Sequence, residues 1–419
     1  MKKYLIVTAF LTFAFTAWAQ NPLGEFSFYQ KQAQNTEKQS QQEVVNNLNR
    51  WLEVNYNLPE ASKALILKAN LEKNLKEYPQ FITTLLRYKY EFGLNEKNNV
   101  QSVLKDTARD FSKSEQEEYN KLISARVPQK ELAERLDAFL NVATKANIKG
   151  TYKPLQEEYF SFFRRFKDYE EIDRLELMLG DLHRNNKNPY AALMQYEKVW
   201  SIYPNTKYKA ASLRMQGDVY ASDLKDYQKA QSIYEQVLTD FPDSVEKPTA
   251  YYHLALMEES QKEYQEALDH LNFAAKLYQE QGDTSSLYNV LSFKADIQEK
   301  KLKDYEGAAN TLNNISQLFV NKGNIYEENQ FKLATLYRNK LKNPALEKKA
   351  YEDLLKNYPN SQNADKALFE AASLAKEDGQ YALAKNYLEK LIVNNPSSVY
   401  AGKAQRQINS IEKQIAKNQ

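Results

Sequence analysis

Leu224-Lys-Asp-Tyr-Gln-Lys-Ala230 returns as Leu302-Lys-Asp-Tyr-Glu-Gly-Ala308, and Asn188-Pro189 leading to Tyr196 returns as Asn343-Pro344 leading to Tyr351. Each echo belongs to a longer pattern, in which a small residue is followed about two dozen positions later by a stop. Gly180 leads to Pro204, Gly217 to Pro242, Ala334 to Pro359 and Ala372 to Pro396. Ala255 and Ala295 head two further copies that lack the closing proline. A period of 37 to 40 residues, held through the last 250 positions, is the signature of a solenoid. Between the period marks, apolar residues return every three or four positions, so each copy is a pair of helices with one buried stripe. The predicted fold is all-α, a right-handed α-solenoid of helix–turn–helix repeats.

Five of the six copies carry a second small site in the second helix: Ala192, Ala230, Ala267, Ala308 and Ala384. Gly or Ala at both sites lets paired helices approach closely, and a larger side chain would overpack by roughly 1–3 kcal/mol. Two departures stand out. Copies two, four and five hold one extra residue between their small sites, and Glu347 occupies the second site of copy five. The expectation there is a splayed hairpin or a register displaced by one.

These residues resemble the tetratricopeptide repeat, with small residues at its eighth and twentieth positions and proline near its thirty-second. The turns Tyr-Pro-Asn-Ser and Phe-Pro-Asp-Ser, and above all Tyr358-Pro-Asn-Ser-Gln-Asn-Ala-Asp-Lys-Ala-Leu368, are similar to bacterial envelope members of that family. Those members serve outer-membrane barrel assembly and Tol–Pal-associated division. The resemblance implies a non-enzymatic scaffold that binds other envelope proteins or peptides in a concave groove. The alternative is a glycan- or peptidoglycan-associated protein of the cell wall, using exposed Tyr faces as stacking platforms.

Composition narrows the classes. Lys and Arg number 57 against 55 Asp and Glu, and Lys2 and Lys3 alone account for the excess. A neutral remainder lacks the basic stripe that nucleic-acid binders need to neutralise phosphate. Cysteine is absent, which removes disulfides, thiolate chemistry and zinc knuckles. The 30 Tyr are expected to fill hairpin seams with their rings while their hydroxyls stay wet.

Lys2 and Lys3 precede an apolar run from Tyr4 to Trp18, and Ala17-Trp18-Ala19 presents a cleavage site, the three-part secretory pattern. Cleavage after Ala19 predicts an exported, periplasmic chain with no transmembrane segment in its mature form. The organisation that follows is a signal peptide (1–19), a flexible arm or frayed helix (20–42), irregular helical hairpins (43–172), six repeats (173–396) and a C-terminal capping helix (397–419).

No cofactor, metal or catalytic constellation emerges. His183, His253 and His270 have no partner at ligand spacing, and phosphate loops and hydrolase motifs are missing. In the repeat family that this chain resembles, the first helix of each copy lines the groove. The corresponding residues are Arg174, Leu177, Asp181 and Arg184, then Arg214 and Asp218, then Tyr252, Leu256 and Glu259. Asp296 and Glu299 follow, then Phe331, Thr335 and Arg338, then Phe369, Ser373 and Lys376. Arg at one end, acids midway and aromatics at Tyr252, Phe331 and Phe369 suit an extended peptide carrying both charge and apolar side chains.

Overall fold

The computed structural model describes residues 21–94, 99–107 and 111–417. The expected signal peptide lies outside them. Among the described residues every regular element is helical, and the chain divides at residue 233 into two compact units.

The first unit opens with α1 (Pro22–Gln32), α2 (Lys38–Val54), α3 (Ala61–Asn74), α4 (Tyr78–Phe92), α5 (Val100–Thr107) and α6 (Lys113–Ser124). It continues through α7 (Leu132–Ala146), α8 (Tyr152–Arg165), α9 (Ile172–Asn185), α10 (Pro189–Ile202) and α11 (Lys209–Asp218). The division falls inside α12 (Tyr227–Asp240). The second unit holds α13 (Lys247–Gln261), α14 (Tyr264–Gln281), α15 (Thr284–Asp296), α16 (Tyr305–Leu318) and α17 (Gly323–Leu336). It ends with α18 (Pro344–Asn357), α19 (Ala364–Glu377), α20 (Tyr381–Asn394) and α21 (Ala401–Lys417).

The small sites are where the sequence places them. Gly180, Gly217, Ala255, Ala295, Ala334 and Ala372 are all buried, as are their partners in the second helices. At Gly180 the Tyr196 ring occupies the space a side chain would take; an added Cβ would lie 2.3 Å from the ring. Where the first site is Ala255 or Ala372, the matching position is the smaller Leu271 or Leu388, each fully buried. Glu347 is the exception, and the hairpin is not displaced. The side chain is buried, and its carboxylate accepts from Arg338 Nε at 2.5 Å.

The extra residue of copies two, four and five has a definite home. In each, the first helix ends in a wider π turn: Val219–Leu224, Ile297–Leu302 and Tyr337–Leu341. A single inserted residue lengthens the hydrogen-bonded loop, which is how π turns arise. The bond closing the turn then reaches six residues back, from the N–H of Asp226 to Tyr220 O (2.9 Å), Asp304 to Gln298 O (2.8 Å) and Asn343 to Tyr337 O (3.0 Å). In the three copies without the insertion it reaches five, from Asn188 to His183 O (3.0 Å), Glu263 to Glu258 O (2.8 Å) and Gln380 to Ala375 O (2.8 Å).

Either way the next helix starts from the same left-handed turn. Lys187, Lys225, Lys262, Lys303 and Lys342 take positive φ, where Gly379 stands in the last copy. Asn188, Asp226, Asp304 and Asn343 then cap the second helix, accepting from the backbone N–H three residues on at 2.9–3.4 Å. The sequence echoes are this turn. It also joins α3 to α4: Lys76 has φ 64°, and the Glu77 N–H reaches Glu72 O at 2.8 Å.

Of the expected arm or frayed helix, the described residues 21–42 are mostly helical and packed. Pro22 opens α1, the Asn21 side chain accepts from the Gly24 N–H at 2.8 Å, and Phe26 is buried against Trp51 with ring centroids 5.3 Å apart. Trp51 Nε1 also donates to Pro22 O at 3.0 Å, so the aromatic pair and its hydrogen bond fix the segment. The largest tyrosines also depart from expectation. Tyr119, Tyr159 and Tyr196 are fully buried, and their hydroxyls meet Leu104 O (3.0 Å), Thr144 Oγ1 (2.8 Å) and Asp181 Oδ1 (2.7 Å) rather than water. At the chain's end Ala404, Ile408 and Ile411 of α21 cover Leu388 and Leu391, closing the last repeat.

Gly180→Ala is expected to lower stability by about 1–3 kcal/mol, read from the urea midpoint by far-UV circular dichroism. Adding Tyr196→Leu, the pairing used by Ala255 and Ala372, should recover part of the loss. Lys262→Gly, which removes a side chain from left-handed backbone, should raise stability by about 0.5–1 kcal/mol in the same assay.

Candidate functional site

The candidate groove residues lie on first helices, but most of their charge is already spent on neighbouring helices. In the first unit Arg174 pairs with Asp137 of α7, whose carboxylate also accepts from Tyr169 Oη at 2.7 Å. Arg184 of α9 reaches Asp223 at 2.8 Å and Asp218 at 3.7 Å, and Arg214 pairs with Asp218 from within α11. Leu177 is core, not groove, and Asp181 is held by Tyr196.

The second unit repeats the arrangement. Glu259 of α13 meets Lys301, in the π turn after α15, at 2.8 Å, and Arg338 meets Glu370 of α19 at 2.7 Å. Tyr252 stands edge-on to Phe293 (6.1 Å), Phe369 tilts against Tyr400 (5.3 Å), and Lys366 Nζ lies 4.6 Å from the Phe331 centroid. Tyr252, Phe331 and Phe369 are half-buried, leaving part of each ring at the surface. Asp296 is exposed and pairs only within its own helix end, with Lys300 at 2.7 Å. In the second unit the first helices therefore leave ring area at the surface, and in each unit their ion pairs tie one repeat to the next.

Sequence reasoning missed a second concentration of charge, inside the first unit. Helix α4 packs against α3, α5, α7 and α8, and every residue from Phe81 to Glu91 is buried. Arg87 and Glu91 share that helix at 2.8 Å, Glu91 also accepts from Arg165 at 2.7 Å, and Arg87 reaches Glu158 at 3.4 Å. Beside them Lys68 Nζ bridges Glu72 at 3.1 Å and Thr84 Oγ1 at 2.9 Å. Burial opposes the Arg87 charge, but Glu158 and Glu91 outweigh it; burial pushes the Glu72 carboxyl up. The residues border a cleft of about 190 Å³ between α2, α3, α4 and α8. The available signal was charge interleaved through an otherwise apolar helix, Arg87, Lys89 and Glu91, where an amphipathic helix would segregate it.

The histidines are structural contacts. His183 is buried with Nδ1 2.8 Å from Tyr152 Oη, His253 stacks on Tyr234, and His270 Nδ1 lies 2.8 Å from Glu258. No group of three potential ligands close enough for a metal occurs among the described residues.

Three stretches match the tetratricopeptide-repeat family model. They are residues 211–244, 328–361 and 366–398, which coincide with the hairpins begun by α11, α17 and α19. Comparison with curated proteins returns no match. Among solved structures, a tetratricopeptide repeat protein from Parabacteroides merdae is 16% identical, covering 67% of this chain and 98% of its own, with a TM-score of 0.34. The TPR2AB domain of yeast Sti1, solved with pHSP90, is 15% identical over 67% of this chain and 96% of its own, with a TM-score of 0.26.

The Glu258 hydrogen bond raises the His270 pKa above its ordinary 6.5. A base raised on folding stabilises fully below its unfolded pKa and loses that contribution as pH climbs through the folded one. The His270 ring resonances should therefore titrate above 6.5, and Glu258→Gln should bring the midpoint down. In wild type alone, stability should fall as pH rises from 6.5 through that midpoint.

Proposed function

We propose that this chain is an exported, non-enzymatic scaffold that holds other envelope proteins or peptides along its first-helix wall. The observation carrying the proposal is the set of half-buried rings Tyr252, Phe331 and Phe369, placed on α13, α17 and α19 of one unit. Fully buried small sites hold those helices in place, so little ordering entropy is lost when a partner docks. The repeat match supports the class, because stacked helix pairs commonly serve as extended binding surfaces. The Lys2-Lys3 start, the apolar run and Ala17-Trp18-Ala19 support export, and the envelope-like turns support the compartment.

The wall's own pairing refines the expected ligand. Arg184, Arg214, Glu259 and Arg338 are engaged within the fold, so an extended segment rich in apolar side chains suits the surface better than a highly charged one.

Envelope proteins crosslinked to the full chain in intact cells should yield a partner that binds the purified protein directly. Tyr252→Ala with Phe331→Ala should weaken that binding at least about tenfold, the loss typical of aromatic anchors, while helix content stays unchanged. Affinity should vary little with ionic strength. Undiminished binding by the double variant, or a steep salt dependence, overturns the assignment.

A further inference from the structure

We propose that the cleft between α2, α3, α4 and α8 binds a single free basic α-amino acid. The cleft uses no residue of the first-helix wall, so it is a second site independent of the scaffold reading.

The first argument is unfinished bonding at the floor. Arg87 Nη2, Glu72 Oε2 and Ser161 Oγ are buried and have no hydrogen-bond partner among the described residues. The Arg87 and Glu72 side chains are only 5% and 2% exposed. Leaving a charged donor and a carboxylate oxygen unpaired is costly and calls for an explanation, and beside an open cleft a visiting group that completes the set is one. The two orphans are complementary: a carboxylate suits Arg87, and an ammonium suits Glu72 and Ser161. One small molecule carries both groups on adjacent atoms, an α-amino acid.

The second argument is the balance of charge. The lining holds two cations, Lys68 and Arg87, against five acids: Glu53, Glu72, Glu77, Glu157 and Glu158. Lys68 is engaged by Glu72, Arg87 by Glu158 and Glu91, and Glu53 by Arg164. Glu77 and Glu157 have no ion-pair partner among the described residues, which leaves the mouth acidic. A simple anion is repelled there, and a simple amine leaves Arg87 unmet. A side-chain ammonium at the mouth answers Glu77 and Glu157, so lysine-like amino acids fit best.

Size and lining exclude other polar ligands. Drug-sized ligands fill roughly 300–1,000 Å³, and this cleft offers about 190 Å³, the scale of one amino acid. No aromatic ring lines it, so a sugar has no face on which to stack.

The test is calorimetric titration of the full chain with L-lysine, glycine, N-acetylglucosamine and inorganic phosphate, up to about 10 mM at constant ionic strength. L-Lysine should bind more tightly than glycine, and the sugar and phosphate should give no heat of binding. A peptide with an internal lysine, which lacks the adjacent free ammonium and carboxylate, should give no heat of binding, and binding as tight as that of free lysine also overturns the proposal. Ser161→Ala should weaken both amino acids about three- to tenfold. Glu157→Gln, an exposed change with little bearing on folding, should weaken lysine up to about fivefold and leave glycine unchanged. Arg87→Lys should abolish binding; should it fail to fold, the Ser161 and Glu157 variants still decide the matter. No lysine binding, equal binding of all four compounds, or lysine binding indifferent to both Ser161→Ala and Glu157→Gln overturns the proposal.

Discussion

Two helix backbones can close to the thickness of an aromatic ring only where one of them gives up its side chain. At Gly180 that concession is complete, and the Tyr196 ring lies where a Cβ would be. Two other hairpins balance the volume differently, with Leu271 matched to Ala255 and Leu388 to Ala372, while Tyr234 stays with Gly217 and Tyr351 with Ala334. Close-packed interiors tolerate such exchanges of shape when the sum is kept. The remaining small sites are buried as well, so a small residue stands at the same place in every repeat's first helix. Glu347 marks its tolerance. A carboxylate fits a small-residue slot because Arg338 meets it at the edge.

Much of the repeat region was legible from its residues, since close packing demands small side chains at fixed spacing and leaves them visible. The turn echoes and the buried small sites follow from that. Residues 20–42 were misread because Gln, Asn and Ser dominate them, while the decisive contact, Phe26 on Trp51, joins positions 25 apart that no local pattern links. The tyrosine hydroxyls were assigned to water because acceptors such as Asp181 become neighbours only after folding. The same reason hid the cleft. Lys68, Arg87 and Glu158 come from three helices, and only tertiary structure makes them adjacent.

The two regions use charge in opposite ways. Along the wall, Arg184, Glu259 and Arg338 spend their charge on the neighbouring repeat, where partial exposure limits what each pair contributes to stability. Their effect is geometric, holding successive first helices in register and leaving aromatic edges as the accessible chemistry. In the α4 cluster the ions are buried, and burial makes an unpaired atom expensive. Arg87 and Glu91 pair with each other, yet Arg87 Nη2 and Glu72 Oε2 find no partner among the described residues. A surface that has settled its electrostatics invites apolar contact, while an interior that has not is selective for a ligand with matching poles.

The π turns bear on how such a chain can change over time. Val219–Leu224, Ile297–Leu302 and Tyr337–Leu341 show that an added amino acid is taken up as a local bulge, after which the left-handed lysine and the helix cap resume unaltered. Length drift at that point is absorbed within one turn and never reaches the neighbouring hairpin. Insertions and deletions elsewhere in a helix would rotate every downstream contact by about 100°. Each of these hairpins thus carries a built-in expansion joint, through which copies can diverge in length while the helix that follows keeps its start.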